Sequence, residues 1–482
     1  MYATTRSALF APILVLMLLL PAICSAQGSE FAITIGKAFP LRNQPVILGA
    51  RYQGEAADSF SVTFEQVQAS GQSAKRIGTA QAEPQPDGSL WAHLEWTPDR
   101  SGFLLLRATA STAGAAFVAE KTVPVVERDM HFVWFGSGLD LQHATGITPP
   151  PKEEDLRQQW RDRGVSLLAW KGTNLDTTEK LLKYWLEHDG ADGIAIDEIG
   201  AYDREPASEA RAQKAFDGLA PFKKERPDAF LAVWSCGALT TPAANAYRRD
   251  ADLVMLECYV NYSRRAFSTH SFSDYISQRV KMARRMDVLE KCVVGLGITS
   301  ELGGITPAEL RSQIEYCRLI APECPGIAWF RYGGPERVEP EILRMADEAA
   351  VEYFIRPCLM VSDEEVQYAP GSPVNPGRLC VNIHNIGAMD ATNLSVAFYD
   401  GHPDQGGRLL GKTFVPCLHA PRGWSQEYAE LTAAEAKSLA YGVCEVGVPW
   451  APDGGFHEIY VRVWAPAPVK LLQDLAHKRL RG

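Results

Sequence analysis

Between Arg128 and Gly334 seven short apolar runs, HFVWFG, VSLLAW, GIAIDE, AFLAVWS, DLVMLECYV, CVVGLGITS and GIAWFRYGG, alternate with segments of helical periodicity. Alternation of this kind builds a parallel sheet, because parallel neighbours need a long crossover and a helix supplies it. The helices carry their own boundaries. DTTEKLLKYWLEH offers Asp176 and Glu179 as a capping pair and keeps Leu181, Leu182, Trp185 and Leu186 on one face. TPAELRSQIEYCR begins with Thr306 as cap, Pro307 in the first turn and Glu309 closing a capping box. Seven units in about 230 residues predict a compact (β/α)8 barrel with one strand irregular, rather than an open doubly wound sheet, since no Gly-rich phosphate turn follows the first strand.

The barrel leaves much of the 482-residue chain unaccounted for. From Phe31 to Glu127 the pattern is short strand-like runs cut by turns, PVILGARY, SFSVTFEQV, SLWAHLEWTP, GFLLLRATA and AAFVAEKTVPVV, at sandwich spacing. The stretch LEWTPDRSGFLLLRATA resembles the late hairpin of bacterial immunoglobulin-like domains, a likeness of fold that carries no chemistry. Beyond Glu352 the helical pattern stops. There GSPVNPGRLCVNIHNIGAMDATNLSVAFYDG resembles the CARDB type of bacterial adhesion-related domain, with Asn385 and Gly387 in an Asn-x-Gly turn between two strands. That resemblance implies a β-sandwich of the cell surface or periplasm and no activity. The expected organisation is a signal peptide over 1–26, an immunoglobulin-like β-sandwich over 28–127, a TIM-type barrel over 128–351, a CARDB-like β-sandwich over 352–466, and a basic tail over 467–482 that forms a fraying helix.

Arg6, the apolar run ALFAPILVLMLLLPAI and the small residues CSA ending at Ala26 read as a Sec-type signal with cleavage near Ala26, so a secreted or periplasmic protein is expected. A lipoprotein reading through Cys24 is disfavoured by the bulky Ile23 before it. No later stretch has the ~20 apolar residues of a membrane span. The net charge of −10 offers no basic field for a polyanion, which argues against nucleic acid as a partner. Nine cysteines follow the signal, and export permits disulfides. Cys292 and Cys324 each precede a strand at one rim of the barrel and are candidates for a bridge, while Cys236 and Cys258 read as buried inert thiols. Cys358, Cys380, Cys417 and Cys444 allow three pairings. No paired CxxC or HExxH occurs, and neither a metal nor an organic cofactor is implied.

Active sites of parallel barrels lie at the carboxyl ends of the strands. The residues standing there are Trp134, Trp170 with Lys171, Asp197 with Glu198, Trp234, Glu257 with Tyr259, Glu301, and Trp329 with Arg331 and Tyr332. Tryptophans at four of seven strand ends suggest a platform for the apolar faces of sugar rings; the competing reading is that they plug the barrel top. Side-chain alternation directs Ile194 and Ile196 toward the helices and Ala195 and Asp197 toward the lumen. Glu198 then sits at the rim, as a cap or a substrate ligand. Glu257 follows four apolar residues two strands beyond Asp197, where an acid without a task is costly to dehydrate. Its bland alternative is an ion pair with Arg331 or Lys171.

The runs DGIAIDE and LECYV resemble the strand ends of glycoside hydrolase barrels, and their separation is similar to that of the retaining α-galactosidase type. The pattern departs from family 18 chitinases, whose DxxDxDxE run needs acids where Ala195 and Ile199 stand. The resemblance implies a two-carboxylate glycosidase, with Asp197 as nucleophile or base, Glu257 as acid/base, and a carbohydrate substrate held by Trp134, Trp170, Lys171, Trp234, Tyr259, Trp329, Arg331 and Tyr332. It favours retention, which needs carboxyl groups ~5 Å apart against ~6.5–9.5 Å for inversion. The alternative is a non-catalytic carbohydrate-binding or adhesion protein of the bacterial surface that keeps the barrel and its aromatic rim.

Overall fold

The computed structural model describes residues 30–481 apart from 55–59, 68–73, 112–115, 137–140, 173–177, 189–190, 200–205, 237–238, 260–271, 300–305, 332 and 373–375. The expected signal segment, Asp176, Glu301 and Tyr332 therefore lie outside the described residues, and so does the side chain of Glu198.

The centre of the chain is a closed parallel barrel of eight strands: β1 His131–Phe135, β2 Gly146–Thr148, β3 Ser166–Lys171, β4 Gly193–Ile199, β5 Phe230–Ser235, β6 Leu253–Glu257, β7 Cys292–Gly297 and β8 Gly326–Phe330. Neighbours in sequence are neighbours in space, and β8 closes on β1 with Trp329 opposite Trp134. The strand absent from the sequence pattern is β2. It has only three residues, Gly-Ile-Thr, too few to show any periodicity. Seven helices surround the described barrel: α1 Glu154–Arg161, α2 Thr178–Glu187, α3 Pro206–Glu225, α4 Thr241–Asp250, α5 Phe272–Arg285, α6 Pro307–Ile320 and α7 Pro340–Ala349. The expected capping box of α6 is present: Glu309 N donates to Thr306 Oγ1 at 3.2 Å, and Thr306 N donates to Glu309 Oε2 at 2.9 Å.

Strand alternation divides the barrel into two apolar layers. Phe132, Trp134, Ile194, Ile196, Val254, Leu256, Ile327 and Trp329 face the helices and pack with residues such as Phe222, Tyr247, Ile314 and Ile342. Val133, Leu168, Ala195, Ala232, Trp234, Met255, Val293 and Ala328 fill the lumen. Both faces of each strand are dehydrated, the usual condition of a parallel sheet covered by helices.

Each flank is a separate pair of sheets around its own core. Before the barrel, one sheet holds Glu30–Ile35, Val46–Gln53, Leu90–Trp96 and Glu83–Pro84, and the other Lys75–Gln81, Ser61–Val67, Gly102–Ser111 and Ala116–Val125. Trp96, Phe64 and Leu48 are buried between them. After the barrel, Phe398, Val461 and Val381 occupy the corresponding place in the second pair. The expected helical tail is corrected here. Lys470–Gln473 pairs with Cys358–Val361, and Leu475–Arg481 pairs with Phe456–Trp464, so the final residues are strands of this domain. The reason is visible in the register: Ala476 lies opposite Val461 with both fully buried, and His477 stacks on Tyr460 at 4.3 Å.

The disulfide expectation is corrected as well, since all nine cysteines of the described residues are free thiols. Cys292 and Cys324 donate instead to the carbonyls of Val288 (3.2 Å) and Leu289 (4.0 Å). Burial pushes the Cys324 and Cys258 thiols up to about 12 and Cys292 well above its ordinary value, which leaves them protonated and inert.

Candidate active site

Asp197 stands at the carboxyl end of β4, where the register with β5 shifts between Ile196 and Ile199, and alternation carries Glu257 to the luminal side of β6 with Met255. The two acids thus stand at the carboxyl ends of alternate strands. Alternate strands of such a barrel contribute side chains to the same layer. The neighbouring strand end supplies a partner for the first: Trp170 Nε1 donates to Asp197 Oδ2 at 3.1 Å. Trp170 is 38% exposed, so this contact lies at the open rim. Beyond β6, Tyr259 feels both acids. Its phenol is pushed well above the usual range first by burial and then by the negative charges of Glu257 and Asp197. It remains protonated, with both acids near enough for their charge to act on it.

The tryptophan platform needs correction. Trp134 and Trp329 point into the helix layer, buried to 1% and 0%, with their rings 5.6 Å apart. Trp234 does enter the lumen but is fully buried there, as in the reading in which it plugs the barrel. The aromatic lining of the mouth comes from residues one position along the same strands. Phe135 meets Trp234 at 5.6 Å, Trp170 at 6.2 Å and Phe330 at 5.0 Å, and Phe330 stacks on Tyr259 at 4.4 Å. Phe135 and Phe330 are missed in the sequence reading because HFVWF and GIAWF each place two aromatics side by side, and only the register tells which one faces in.

The cations separate in the same way. Lys171, the neighbour of luminal Trp170, turns to the helix side, where its ammonium lies 5.2 Å from the ring centre of Tyr184 on α2. It is not at the lumen. Arg331 stays at the rim and lies against Gly136, at the end of β1. A Cβ at Gly136 would come within 2.1 Å of Arg331 Nε, and the φ of +139° also calls for glycine there. Burial lowers the Arg331 pKa from its ordinary value, and Glu336 opposes that shift. A cavity of about 380 Å3 lies at the opposite end of the strands, lined by Lys37, Asp129, His131, Ser166 and Phe230 where the first sandwich meets the barrel. It is remote from the two acids.

No family model matches the sequence, and no curated protein matches it. Solved structures resemble it in part. An endo-β-N-acetylglucosaminidase from Cordyceps militaris aligns with 46% of this chain and 90% of its own, at 14% identity and a TM-score of 0.33. A β-glucuronidase from Bacteroides uniformis aligns over 93% of this chain at 10% identity and a TM-score of 0.32, and the match spans 60% of that enzyme. The glycoside hydrolase domain of PgaB (BpsB) from Bordetella bronchiseptica aligns with 47% of this chain and 98% of its own, at 10% identity and a TM-score of 0.33. The barrel assignment rests on strand order and closure rather than on these likenesses.

Proposed function

We propose that the protein is an exported glycoside hydrolase whose barrel cleaves a glycan with Asp197 and Glu257. The observation that carries this reading is the Trp170–Asp197 hydrogen bond at the rim, on the strand two before the one that ends in Glu257. An acid held by an indole donor is stabilised as the carboxylate, the state a nucleophile or base requires. Glu257 takes the part of acid/base, protonating the leaving oxygen and then activating water. Tyr259 lies within the field of both acids and stays protonated. Phe135, Phe330 and Trp170 supply apolar faces for a sugar ring. Arg331 holds hydroxyl groups of the substrate.

The flanking sandwiches fit an immunoglobulin-like and a CARDB-like module that position the barrel at a surface or on a polymer. Retention is the favoured outcome, by the likeness of DGIAIDE and LECYV to retaining barrels. The test is a screen of the purified protein on aryl glycosides and bacterial polysaccharides, with Asp197→Asn in parallel. Turnover lost in the variant at an unchanged melting temperature is the expected result. Full turnover in that variant removes Asp197 from the mechanism, and glycan binding without turnover in the parent protein favours the binding reading.

A further inference from the structure

In the second sandwich, three different ligand types meet at the end of one strand pair. Strand Ala391–Asp400 pairs antiparallel with Arg408–Leu418, Ala391 opposite Leu418 and Thr392 opposite Cys417. The rung beyond sets Asp390 beside His419, and Cys417, two residues before His419, shares its face. His419 Nδ1 is 3.1 Å from Asp390 Oδ2 and 3.8 Å from Cys417 Sγ, and the three donor atoms lie within 4.8 Å of one another.

We propose that Asp390, Cys417 and His419 form a three-ligand site for a thiophilic divalent metal ion, Zn2+. Tetrahedral zinc with bonds of ~2.3 Å to sulfur and ~2.0–2.1 Å to nitrogen and oxygen places N and O about 3.3 Å apart, and S and N about 3.5 Å apart. The observed separations differ from these by only a few tenths of an ångström. Thiolate and imidazole together select zinc over magnesium or calcium, whose sites are built from oxygen. All three side chains are half-buried, which leaves an approach for the ion and an open position for water.

The surrounding shell orients the carboxylate. Asp390 Oδ1 accepts from Ala420 N at 2.9 Å, and Arg422 Nη2 lies 3.3 Å from Oδ2. The Arg422 charge is shared with Glu127, 3.1 Å away and buried, which also meets Arg42 at 3.2 Å. The sequence gives little sign of the site, because the acid stands apart from a C-x-H pair that matches no familiar zinc spacing.

The site is independent of the barrel chemistry and is tested without it. Titration of the reduced full-length protein with Co2+ is expected to give one equivalent bound, with a thiolate-to-cobalt charge-transfer band in the near ultraviolet that Zn2+ displaces. Cys417→Ser is expected to lose the band and at least tenfold in affinity, while Cys444→Ser, which removes another half-buried thiol of the same domain, keeps both. Asp390→Asn serves as the second variant, with circular dichroism checking that each is folded; it should weaken Co2+ binding at least tenfold. No band in the parent protein, or a band that survives Cys417→Ser, overturns the proposal.

Discussion

The indole N–H of Trp170 reaches across one strand interval to Oδ2 of Asp197 at 3.1 Å. The two residues sit on adjacent parallel strands in a register that pairs Trp170 with Ala195, so the donor reaches the acid two residues farther along. A hydrogen bond to a carboxylate contributes about 1.5–3 kcal/mol when both partners are shielded, and less at a rim open to water. Trp170→Phe keeps an aromatic face and removes the donor. We expect kcat to fall about tenfold, the effect of ~1.4 kcal/mol on the barrier. An unchanged kcat on the substrate found by the screen would show that the contact does not support Asp197.

Trp234 occupies the lumen because Gly295 lies beneath its six-membered ring. A Cβ at position 295 would stand 3.0 Å from Cζ3 of the indole and 3.2 Å from the carbonyl oxygen of Leu256. Gly295→Val therefore forces the ring toward Phe135 and the mouth. Overpacking of a filled core costs about 1–3 kcal/mol. The expected result is a lower urea midpoint and a changed near-ultraviolet circular dichroism signal from tryptophan. A variant with the parent's spectrum and stability would mean that the lumen has slack at this level.

What could be read from the sequence follows from how each face of a strand is solvated. Asp197 could be placed because Ile194 and Ile196 contrast with Ala195 in size, and that contrast survives burial on both sides. Trp134 and Trp329 could not, because Phe135 and Phe330 beside them are equally apolar and a covered parallel sheet makes no polar–apolar distinction between its faces. Strand β2 escaped notice for want of length. The short basic tail VKLLQDLAHKRLRG carries no strand pattern of its own, whereas Ala476 and the pairing with Phe456–Trp464 make its last part an edge strand, with Lys and Arg of the kind that protect such edges. The Asp390, Cys417 and His419 cluster depends on strand register, which no local pattern specifies.

A half-buried lysine predicts how stability varies with pH. Lys121 points from the first sandwich toward the barrel domain, its ammonium 3.4 Å from the carbonyl of Ile33 and 3.3 Å from that of Asp162. Burial, helped by Arg163 and opposed by Asp162, lowers its pKa from 10.5 to about 8. Between those values the unfolded chain holds more protons at this site than the folded one, so folding stability rises with pH from about 8 to about 10.5. Below 8 the cost of the buried charge is present in full. Lys121→Met removes it, and we expect the variant to gain on the order of 1–3 kcal/mol at pH 7 relative to the parent, with the gain shrinking toward pH 10. Melting curves at pH 7 and pH 10 check this. A gain that does not change with pH would place its origin in packing.

Asn385 shows how the second sandwich is locked to the chain that leaves the barrel. Its side chain is fully buried, and its amide is engaged on both sides. Oδ1 accepts from Cys358 N at 3.2 Å and Gly387 N at 3.1 Å, while Nδ2 donates to the carbonyls of Met389 at 2.9 Å and Leu418 at 3.2 Å. Gly387 completes the turn because a Cβ there would lie 2.0 Å from the Arg356 carbonyl oxygen. Asn385→Ala leaves two amide hydrogens and two carbonyls without this partner in a dry interior, a loss of about 2–4 kcal/mol from the unsatisfied groups. Asn385→Asp retains the acceptor but turns a ring of two donors and two carbonyls against a buried charge, so it should be at least as damaging. Since the four contacts tie strand Cys358–Val361 to the loop before Ala391, the unfolding transition of this domain should shift in both variants while that of the first sandwich stays in place. Hydrogen exchange resolves the two domains. Equal loss of protection in both would show that they unfold as one unit and that the Asn385 network is not local to the second.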